Sequence, residues 1–142
     1  LLPLHVIDPN PMQPRKTFDE EYIEELAKCP IEIVAGNNDF FSNLPDEKII
    51  FIEDFCAMIT HGHAYGVSMG YQNIRNEGRV RGVDAVMFGH THRPLLEEDD
   101  DLILLNPGSL SYPRQKGRQR SYIVMEKERG KKPTFEIRYL DE

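Results

Sequence analysis

The chain is poor in cysteine and has no long apolar run, and each shortage narrows the range of possible proteins. Its two cysteines, Cys29 and Cys56, lie far apart and form no CxxC pair. We therefore expect free, buried thiols in a reducing cytoplasm rather than a disulfide scaffold. No segment approaches the roughly 20 apolar residues of a membrane span, and no charged-then-apolar segment opens the chain as a secretory signal would.

Basic residues are also in the minority. There are 17 Lys and Arg against 24 Asp and Glu, which gives a net charge of −7. Because proteins that bind nucleic acid usually have a basic face, nucleic acid is disfavoured as a partner, although residues 114–120 (RQKGRQR) form a basic cluster. An acidic protein still accepts a phosphorylated substrate where bound cations invert the local field. The length of 142 residues suits one domain with its own core.

Sequence patterns in the first half of the chain predict four strands and one helix. Thr17 and Glu20 have the spacing of a capping box, the following apolar residues repeat at helical spacing, and Pro30 ends the run. Residues 9–16 are rich in proline, which removes backbone donors and predicts an irregular loop. The predicted elements are strands at residues 4–7, 31–35, 48–53 and 56–59 and a helix at residues 18–27.

The second half predicts one helix and four strands, so the fold class is α/β. Residues 67–81 are polar with scattered apolar positions, which favours a helix. The acidic run at 97–101 is predicted to be a solvated turn. The predicted strands are 85–88, 102–105, 121–125 and 134–139, and the last two are expected to form a hairpin.

Three of the predicted strands end in clusters of polar side chains: GNND at 36–39, THGH at 60–63 and GHTH at 89–92. In open α/β sheets, sites form where the carboxyl ends of strands meet. Four of the five histidines fall in two of these clusters. Neutral imidazole is the commonest side chain for binding metals, so the placement predicts a metal site.

The two histidines of GHTH, His90 and His92, are two residues apart. In an extended segment that spacing puts both side chains on one face. They could then serve one metal ion, or two ions held about 3.5–4 Å apart. A surface turn that happens to contain histidines is disfavoured, because GHTH ends one apolar strand and THGH ends another.

These residues resemble a known family. Asn37 in GNND, His61 in THGH, the GHTH motif and the NPGS of 106–109 resemble the calcineurin-type metallophosphoesterases, in particular the small bacterial and archaeal phosphodiesterase branch. The resemblance covers about residues 17–140, and the order and spacing of four motifs make it specific. It implies a metallophosphoesterase-type β-sandwich flanked by helices, with two divalent cations at the ends of its strands.

By this resemblance, Asn37, His61 and His90 bind the second cation and His92 binds the first. The resemblance favours Mn²⁺, with Ni²⁺, Fe, Zn²⁺ and Mg²⁺ as alternatives, because mixed nitrogen and oxygen ligands do not select one metal. The implied mechanism is metal-assisted hydrolysis, in which a hydroxide that bridges the two cations attacks phosphorus.

Other polar residues near the motifs have open roles. His63, a candidate catalytic residue, either contacts the substrate and protonates the leaving group or orients the first histidine of THGH. Asp39 is expected to form a turn or to support a metal ligand rather than to act in catalysis, and Asn106 is expected to close a turn near the metals. Arg93 or Arg114 could hold a substrate phosphate as a guanidinium fork, although a solvated surface role is favoured for each.

The sequence departs from the family pattern in its N-terminal part. No DxH motif and no GD dipeptide precede Asn37. We therefore expect a single domain over residues 1–142 that lacks the first strand and helix unit, so that the N-terminal edge of the fold is incomplete. The chain begins without Met, which suggests a fragment or a processed product. Asp8 in LHVID is a candidate bridging ligand, although the missing glycine and the proline-rich loop count against it.

Two classes of function follow. The first is a metal-dependent phosphodiesterase or phosphatase that hydrolyses a small phosphate ester or nucleotide in the cytoplasm, with no membrane partner. The alternative is a catalytically impaired or truncated relative that acts as a protein-binding scaffold, as one eukaryotic sorting-complex subunit of the family is thought to do. A missing edge strand would leave a sheet edge that another copy could cover, so a homo-oligomer is also considered.

Overall fold

The computed structural model of the protein describes residues 4–6, 30–36, 44–110 and 113–140. In these ranges the strands are β1 (Leu4–Val6), β2 (Glu47–Ile52), β3 (Phe55–Thr60), β4 (Ala85–Met87), β5 (Pro94–Glu98), β6 (Ile103–Pro107), β7 (Ser121–Glu126) and β8 (Thr134–Tyr139). The α-helix is α1 (Gln72–Arg81), and a short 3-10 turn covers His63–Tyr65.

The strands form two sheets. The larger has the order β2-β3-β4-β6-β5 and the smaller the order β1-β7-β8. In the larger sheet β3, β4 and β6 are parallel, while the edge strands β2 and β5 run antiparallel to their neighbours. Since parallel strands end at the same edge, Thr60, Met87 and Pro107 lie at one end of this sheet, which we call its carboxyl end.

Alternation of side chains along the central strands divides the core in two. On β4, Val86 faces α1, whereas Ala85 and Met87 face the smaller sheet. The first core lies between the larger sheet and the segment that contains α1; its buried residues are Met58, Val67, Ile74, Val83, Val86, Phe88, Leu102 and Leu104. The second lies between the sheets; its buried residues are Phe55, Ala57, Ala85, Met87, Leu105, Ile123 and Met125. The fold is therefore an α/β sandwich of two sheets and a helical layer.

An ion pair between a buried lysine and an exposed aspartate joins the two sheets at the end opposite the carboxyl end. The Lys127 side chain, 4% exposed, pairs with Asp54 in the turn between β2 and β3. The backbone N–H of Gly130 donates to the same carboxylate at 3.2 Å. The Lys127 ammonium and this N–H together hold the pKa of Asp54 below its usual value. The turn after β7 is thus attached to the turn before β3.

Helix α1 packs on the sheet through a glycine. A Cβ atom on Gly78 would lie 2.7 Å from Cγ2 of Val86 and 3.2 Å from Cδ1 of Leu102. Gly78 and Ile74 are the buried residues of the helix, whereas Val80 is 82% exposed. The lack of a side chain at Gly78 therefore sets the close approach of α1 to β4.

Most of the predicted elements that fall in the described ranges are confirmed, with shifts at their ends. The strands predicted at 48–53, 56–59, 85–88, 102–105, 121–125 and 134–139 correspond to β2, β3, β4, β6, β7 and β8, and β7 and β8 form the predicted hairpin. The predicted strand at 4–7 corresponds to β1. The α/β sandwich is confirmed as well. The predicted helix at 18–27 lies outside the described residues.

Three sequence predictions are wrong in detail. Residues 31–35 do not form a strand: the Ala35 N–H donates to the Pro45 carbonyl at 2.8 Å, but proline has no N–H to return a second bond. The helix begins at Gln72 rather than at residue 67, because Gly70 has a φ of 142°. The acidic run is only partly a turn, since Glu97 and Glu98 belong to the edge strand β5.

The structure bears on two expectations drawn from composition, those about the cysteines and about membrane spans. Cys56 is a free, half-buried thiol whose pKa is raised by burial, and Cys29 lies outside the described residues. In the part of the chain that the structure describes, no helix has the length and apolar content needed to cross a membrane.

We predict that Gly78→Ala destabilises the protein although alanine favours helix. The gain in helix propensity is about 1 kcal/mol. The clash with Val86 is expected to cost about 1–3 kcal/mol, as overpacking of a core does. Urea unfolding measures the difference in the free energy of unfolding. The matched control is Val80→Ala on the exposed face of α1, and equal or greater stability of Gly78→Ala would contradict the packing described here.

Candidate metal centre

Three motif loops leave the carboxyl end of the larger sheet side by side. THGH begins at the last residue of β3, GHTH follows β4 and NPGS begins with the last two residues of β6. The order β3-β4-β6 makes these loops neighbours. Backbone hydrogen bonds join them, because Gly89 N–H donates to the His61 carbonyl at 3.1 Å and Phe88 N–H donates to the Leu105 carbonyl at 3.0 Å. Parallel pairing thus brings together residues far apart in the sequence.

Three imidazole rings cluster at this end. The centroids of His61 and His90 lie 5.0 Å apart in a T-shaped arrangement, and those of His61 and His63 lie 5.2 Å apart. His63 and His90 are separated by 6.3 Å. The Nδ1 atoms of His61 and His63 are 3.1 Å apart, so one of the two nitrogens carries the hydrogen and the other accepts it. Such a ring pair is neutral in at least one member.

The cluster strongly favours neutral imidazole. Burial lowers the pKa of His61 to about 3, helped by the charges of His90, His63 and His92. Burial also lowers the pKa of His90, with His63, His92 and Arg114 acting in the same direction. Neutral imidazole is the form that binds a metal ion, so His61 and His90 have free nitrogen lone pairs at neutral pH.

The backbone of GHTH differs from the expected extended segment. His90 has a φ of 71° and His92 a φ of 59°, both in the left-handed region. The extended geometry expected for this segment is therefore wrong. His90 lies against His61 and His63, whereas His92 is 8% exposed. Left-handed backbone at residues other than glycine is uncommon and is found in functional sites.

Asn106 holds the two loops together. It is fully buried, and its Nδ2 donates to the Gly89 carbonyl at 3.1 Å and to Oγ1 of Thr91 at 3.0 Å. Its Oδ1 accepts the N–H of Gly108 at 2.9 Å. The amide therefore closes the NPGS turn and fixes the backbone on both sides of His90. Sequence reasoning expected the turn but missed the part played by Thr91.

A second anchor holds the loop of His61 and His63. The hydroxyl of Tyr65 donates to the carboxylate of Glu47 on β2, and Arg81 at the end of α1 pairs with the same carboxylate at 2.9 Å. Burial and the Glu47 contact raise the pKa of Tyr65 to about 12. Sequence reasoning missed these residues, since the only signal was a tyrosine two residues after THGH.

Two arginines lie beside the cluster. The backbone N–H of Arg114 donates to the His92 carbonyl at 3.1 Å, and Arg93 follows His92 in the chain. Both side chains are exposed. The charge of Arg114 contributes to the low pKa of His90, which places its guanidinium within electrostatic range of the cluster.

Not every predicted ligand falls within the described part of the chain. Asp8, Asn37 and Asp39 lie outside it. Two described segments next to these residues nevertheless lead towards the site. Strand β1 is antiparallel to β7 and therefore runs towards the carboxyl end. The Ala35 N–H donates to the Pro45 carbonyl, two residues before β2 begins at the same end. Of the predicted ligands within the described residues, the structure brings together His61 and His90 and buries His92.

Over residues 4–6, 30–36, 44–110 and 113–140, no three or more histidine, cysteine, aspartate or glutamate side chains converge as a ready metal site. The donors that do meet suit a divalent transition metal, because the rings of His61 and His90 lie 5.0 Å apart and burial favours the neutral form of both.

Comparison with known proteins agrees with this geometry. A family model described as the calcineurin-like phosphoesterase superfamily domain matches residues 15–130. A probable metallophosphoesterase of Methanothermobacter thermautotrophicus is 38% identical over 94 residues, which are 65% of this chain and 53% of that protein. A phosphodiesterase of Methanocaldococcus jannaschii is 32% identical over 103 residues, 61% of this chain and 58% of that protein. The chain spans about half the length of these relatives.

The solved structures show the same fold. A double mutant of Vps29 from Entamoeba histolytica superposes with a TM-score of 0.70, covering 99% of this chain and 100% of that one. At 17% identity this likeness shows the fold alone.

We predict that Asn106→Ala lowers both stability and metal affinity. The substitution leaves the Gly89 carbonyl and the Gly108 N–H without their buried partner, at a cost of about 2–4 kcal/mol for the set of lost bonds. Urea unfolding and a Mn²⁺ titration measure the two effects. Asn73→Ala on the exposed first turn of α1 is the control and is expected to change stability by less than about 0.5 kcal/mol. Unchanged Mn²⁺ affinity in a folded Asn106→Ala would contradict the positioning role.

The metal-free protein is predicted to lose stability as the pH falls from 7 to 5. His61 has a lower pKa in the folded chain than in the unfolded chain, so below about 6.5 the unfolded chain binds the extra proton. The loss is about 2 kcal/mol at pH 5 from this residue. Urea unfolding of chelator-treated protein at both pH values measures it. His61→Gln should flatten the dependence, and an equally steep dependence in that variant would show that His61 is not its source.

Proposed function

Because the chain belongs to the calcineurin-like phosphoesterase superfamily, we propose that it hydrolyses phosphate esters, phosphodiesters in the first instance, with two divalent cations. The observation that carries the proposal is the cluster of His61, His63 and His90 where three strand ends meet, with His61 and His90 in surroundings that favour the neutral ring. A phosphodiesterase among the relatives favours a diester substrate.

In this proposal His61 and His90 hold one cation and His92 holds the other. Their rings are oriented before any metal arrives, since the Gly89–His61 backbone bond and the Asn106 amide fix the loops. Asn37 would add an amide oxygen to the cation held by His61 and His90, and Asp8 would add a carboxylate. Mn²⁺ is the proposed metal because the family resemblance favours it, since a mixed set of imidazole and oxygen donors accepts several divalent metals.

When bound, the cations would polarise the phosphoryl oxygens and acidify the attacking water. The remaining work falls to side chains of the protein. His63 is exposed, so a substrate can reach its ring, and its Nδ1 contacts Nδ1 of His61. It either donates a proton to the leaving oxygen or keeps His61 oriented towards the cation. Burial of His92 and Asn106 keeps bulk water away from the inner side of the site.

A protein-binding scaffold is the second candidate. Phe51 is 71% exposed and Ile49 is 45% exposed on the edge strand β2, on the same face as the helix-side core residue Met58. Exposed apolar side chains on an edge strand favour pairing with another chain, either a partner protein or a second copy. A reducing cytoplasm is the proposed location, because Cys56 is a free thiol.

We expect purified protein to bind about two Mn²⁺ ions per chain and to hydrolyse a chromogenic phosphodiester. His90→Ala should abolish turnover and lower the metal content, because the side chain lies 5.0 Å from His61 in the proposed site. Elemental mass spectrometry and release of the coloured alcohol measure the two quantities. His5→Ala, on strand β1 of the smaller sheet, is the control and should leave both unchanged.

The same measurements separate the two candidates. Turnover that persists in His90→Ala would refute the catalytic assignment. A metal content near zero with no turnover, together with a stable co-purifying partner lost in Phe51→Ser, would favour the scaffold.

A further inference from the structure

One stretch of the chain has a charge opposite to that of the whole. The protein carries a net charge of −7, yet residues 102–125 contain no Asp or Glu. Their basic residues are concentrated in 114–120, which we call the basic loop; they are Arg114, Lys116, Arg118 and Arg120. All four are exposed.

The basic loop begins at the histidine cluster. Arg114 N–H donates to the carbonyl of His92 at 3.1 Å, and Arg93 is joined to His92 by the next peptide bond. Two arginine backbones thus meet at the same His92 carbonyl. The effect of the Arg114 charge on His90 agrees with this closeness.

The loop has a defined conformation. Gln115 Nε2 donates to the Gln119 carbonyl at 2.6 Å, and Arg118 N–H donates to the Gln115 carbonyl at 2.9 Å. The Arg120 carbonyl accepts the N–H of Leu140, which attaches the end of the loop to the end of β8. Its charges are therefore held at the carboxyl end of the sheet rather than spread over a mobile tail.

Acidic residues are concentrated at the other end of the same sheet. The run from Glu97 to Asp101 leads from the far end of β5 to the start of β6. Arginines of α1 pair with it, Arg75 with Glu97 at 2.8 Å and Arg79 with Asp101 at 3.0 Å. Charge separated in this way along a domain directs anions to the positive end.

We propose that Arg114 and Arg93, with the basic loop, bind a second phosphate of the substrate, one that is not hydrolysed. This inference rests on the proposed phosphoesterase function and narrows its substrate to small phosphate esters that carry a second phosphate group beside the one that is hydrolysed. Guanidinium groups suit this task, because they bind phosphate oxygens in pairs. A substrate with a single phosphate group would contact the histidine cluster alone.

The basic loop suits a small molecule better than a nucleic acid. A nucleic-acid site usually extends over a basic face, whereas here four charges occupy one loop of a protein with net charge −7. One additional phosphate group is small enough to accept hydrogen bonds from both Arg93 and Arg114, the two arginines nearest His92 in the chain fold.

The test is calorimetric titration of the Mn²⁺-treated protein with adenosine 3′,5′-bisphosphate and with adenosine 5′-monophosphate. We expect the bisphosphate to bind at least about tenfold more tightly, as charge-assisted hydrogen bonds predict. The double variant Arg93→Gln, Arg114→Gln should reduce this advantage to about threefold or less and leave binding of the monophosphate nearly unchanged. Arg129→Gln is the matched control: it removes one arginine charge at the opposite end, where Arg129 pairs with Glu53, and should keep the full advantage.

Each outcome decides one question. Equal binding of both nucleotides would overturn the second-phosphate site. If the same protein hydrolyses a chromogenic diester, the proposed phosphoesterase function would hold without that site. A bisphosphate preference that needs the arginines, in protein without turnover, would support the site and reject hydrolysis. Tighter binding of a short single-stranded oligonucleotide through the same arginines would overturn the small-molecule class. A double variant that retains the preference would overturn the assignment to Arg93 and Arg114.

Discussion

The candidate site depends above all on one buried amide. Asn106 is a single side chain on β6, yet it bonds to the backbone and hydroxyl of the GHTH loop and to the turn of its own NPGS motif. Left-handed backbone at His90 and His92 is strained, and strained conformations persist only where surrounding bonds determine them. The Asn106 amide supplies those bonds. Because the side chain is fully buried, water does not compete for them.

Sequence reasoning found the parts of the site that depend on local pattern. Apolar strands followed by histidine-rich turns located His61 and His90, and the parallel order of β3, β4 and β6 then made them neighbours. It failed where the outcome depends on tertiary contacts. The extended geometry expected for GHTH ignored the bonds from β6, and the strand expected at 31–35 ignored the missing N–H of Pro45. No local pattern announces the contact of Tyr65 with Glu47 on β2.

Charged side chains have different roles at the two ends of the larger sheet. The arginines of α1 neutralise the acidic segment at the far end of the larger sheet, so those charges support the packing of helix on sheet. At the carboxyl end the basic loop leaves its charges exposed beside the half-buried rings of His61 and His90, which favour the neutral form. A low-dielectric site next to a fixed positive rim attracts anions and at the same time excludes protons from the imidazoles. Both properties favour phosphate esters as ligands.

The Lys127–Asp54 pair has a consequence for how the protein tolerates change. It attaches the sheets at the end farthest from the histidines, while Ser121, bonded to the Pro107 carbonyl, attaches them beside the site. The two attachments share no residue. Evolution or a protein engineer can therefore replace the ion pair, lengthen the adjoining hairpins or graft a new segment there, and leave the loops that carry the histidine motifs in place. The two ends of the domain can change independently, because separate contacts hold the sheets together at each end.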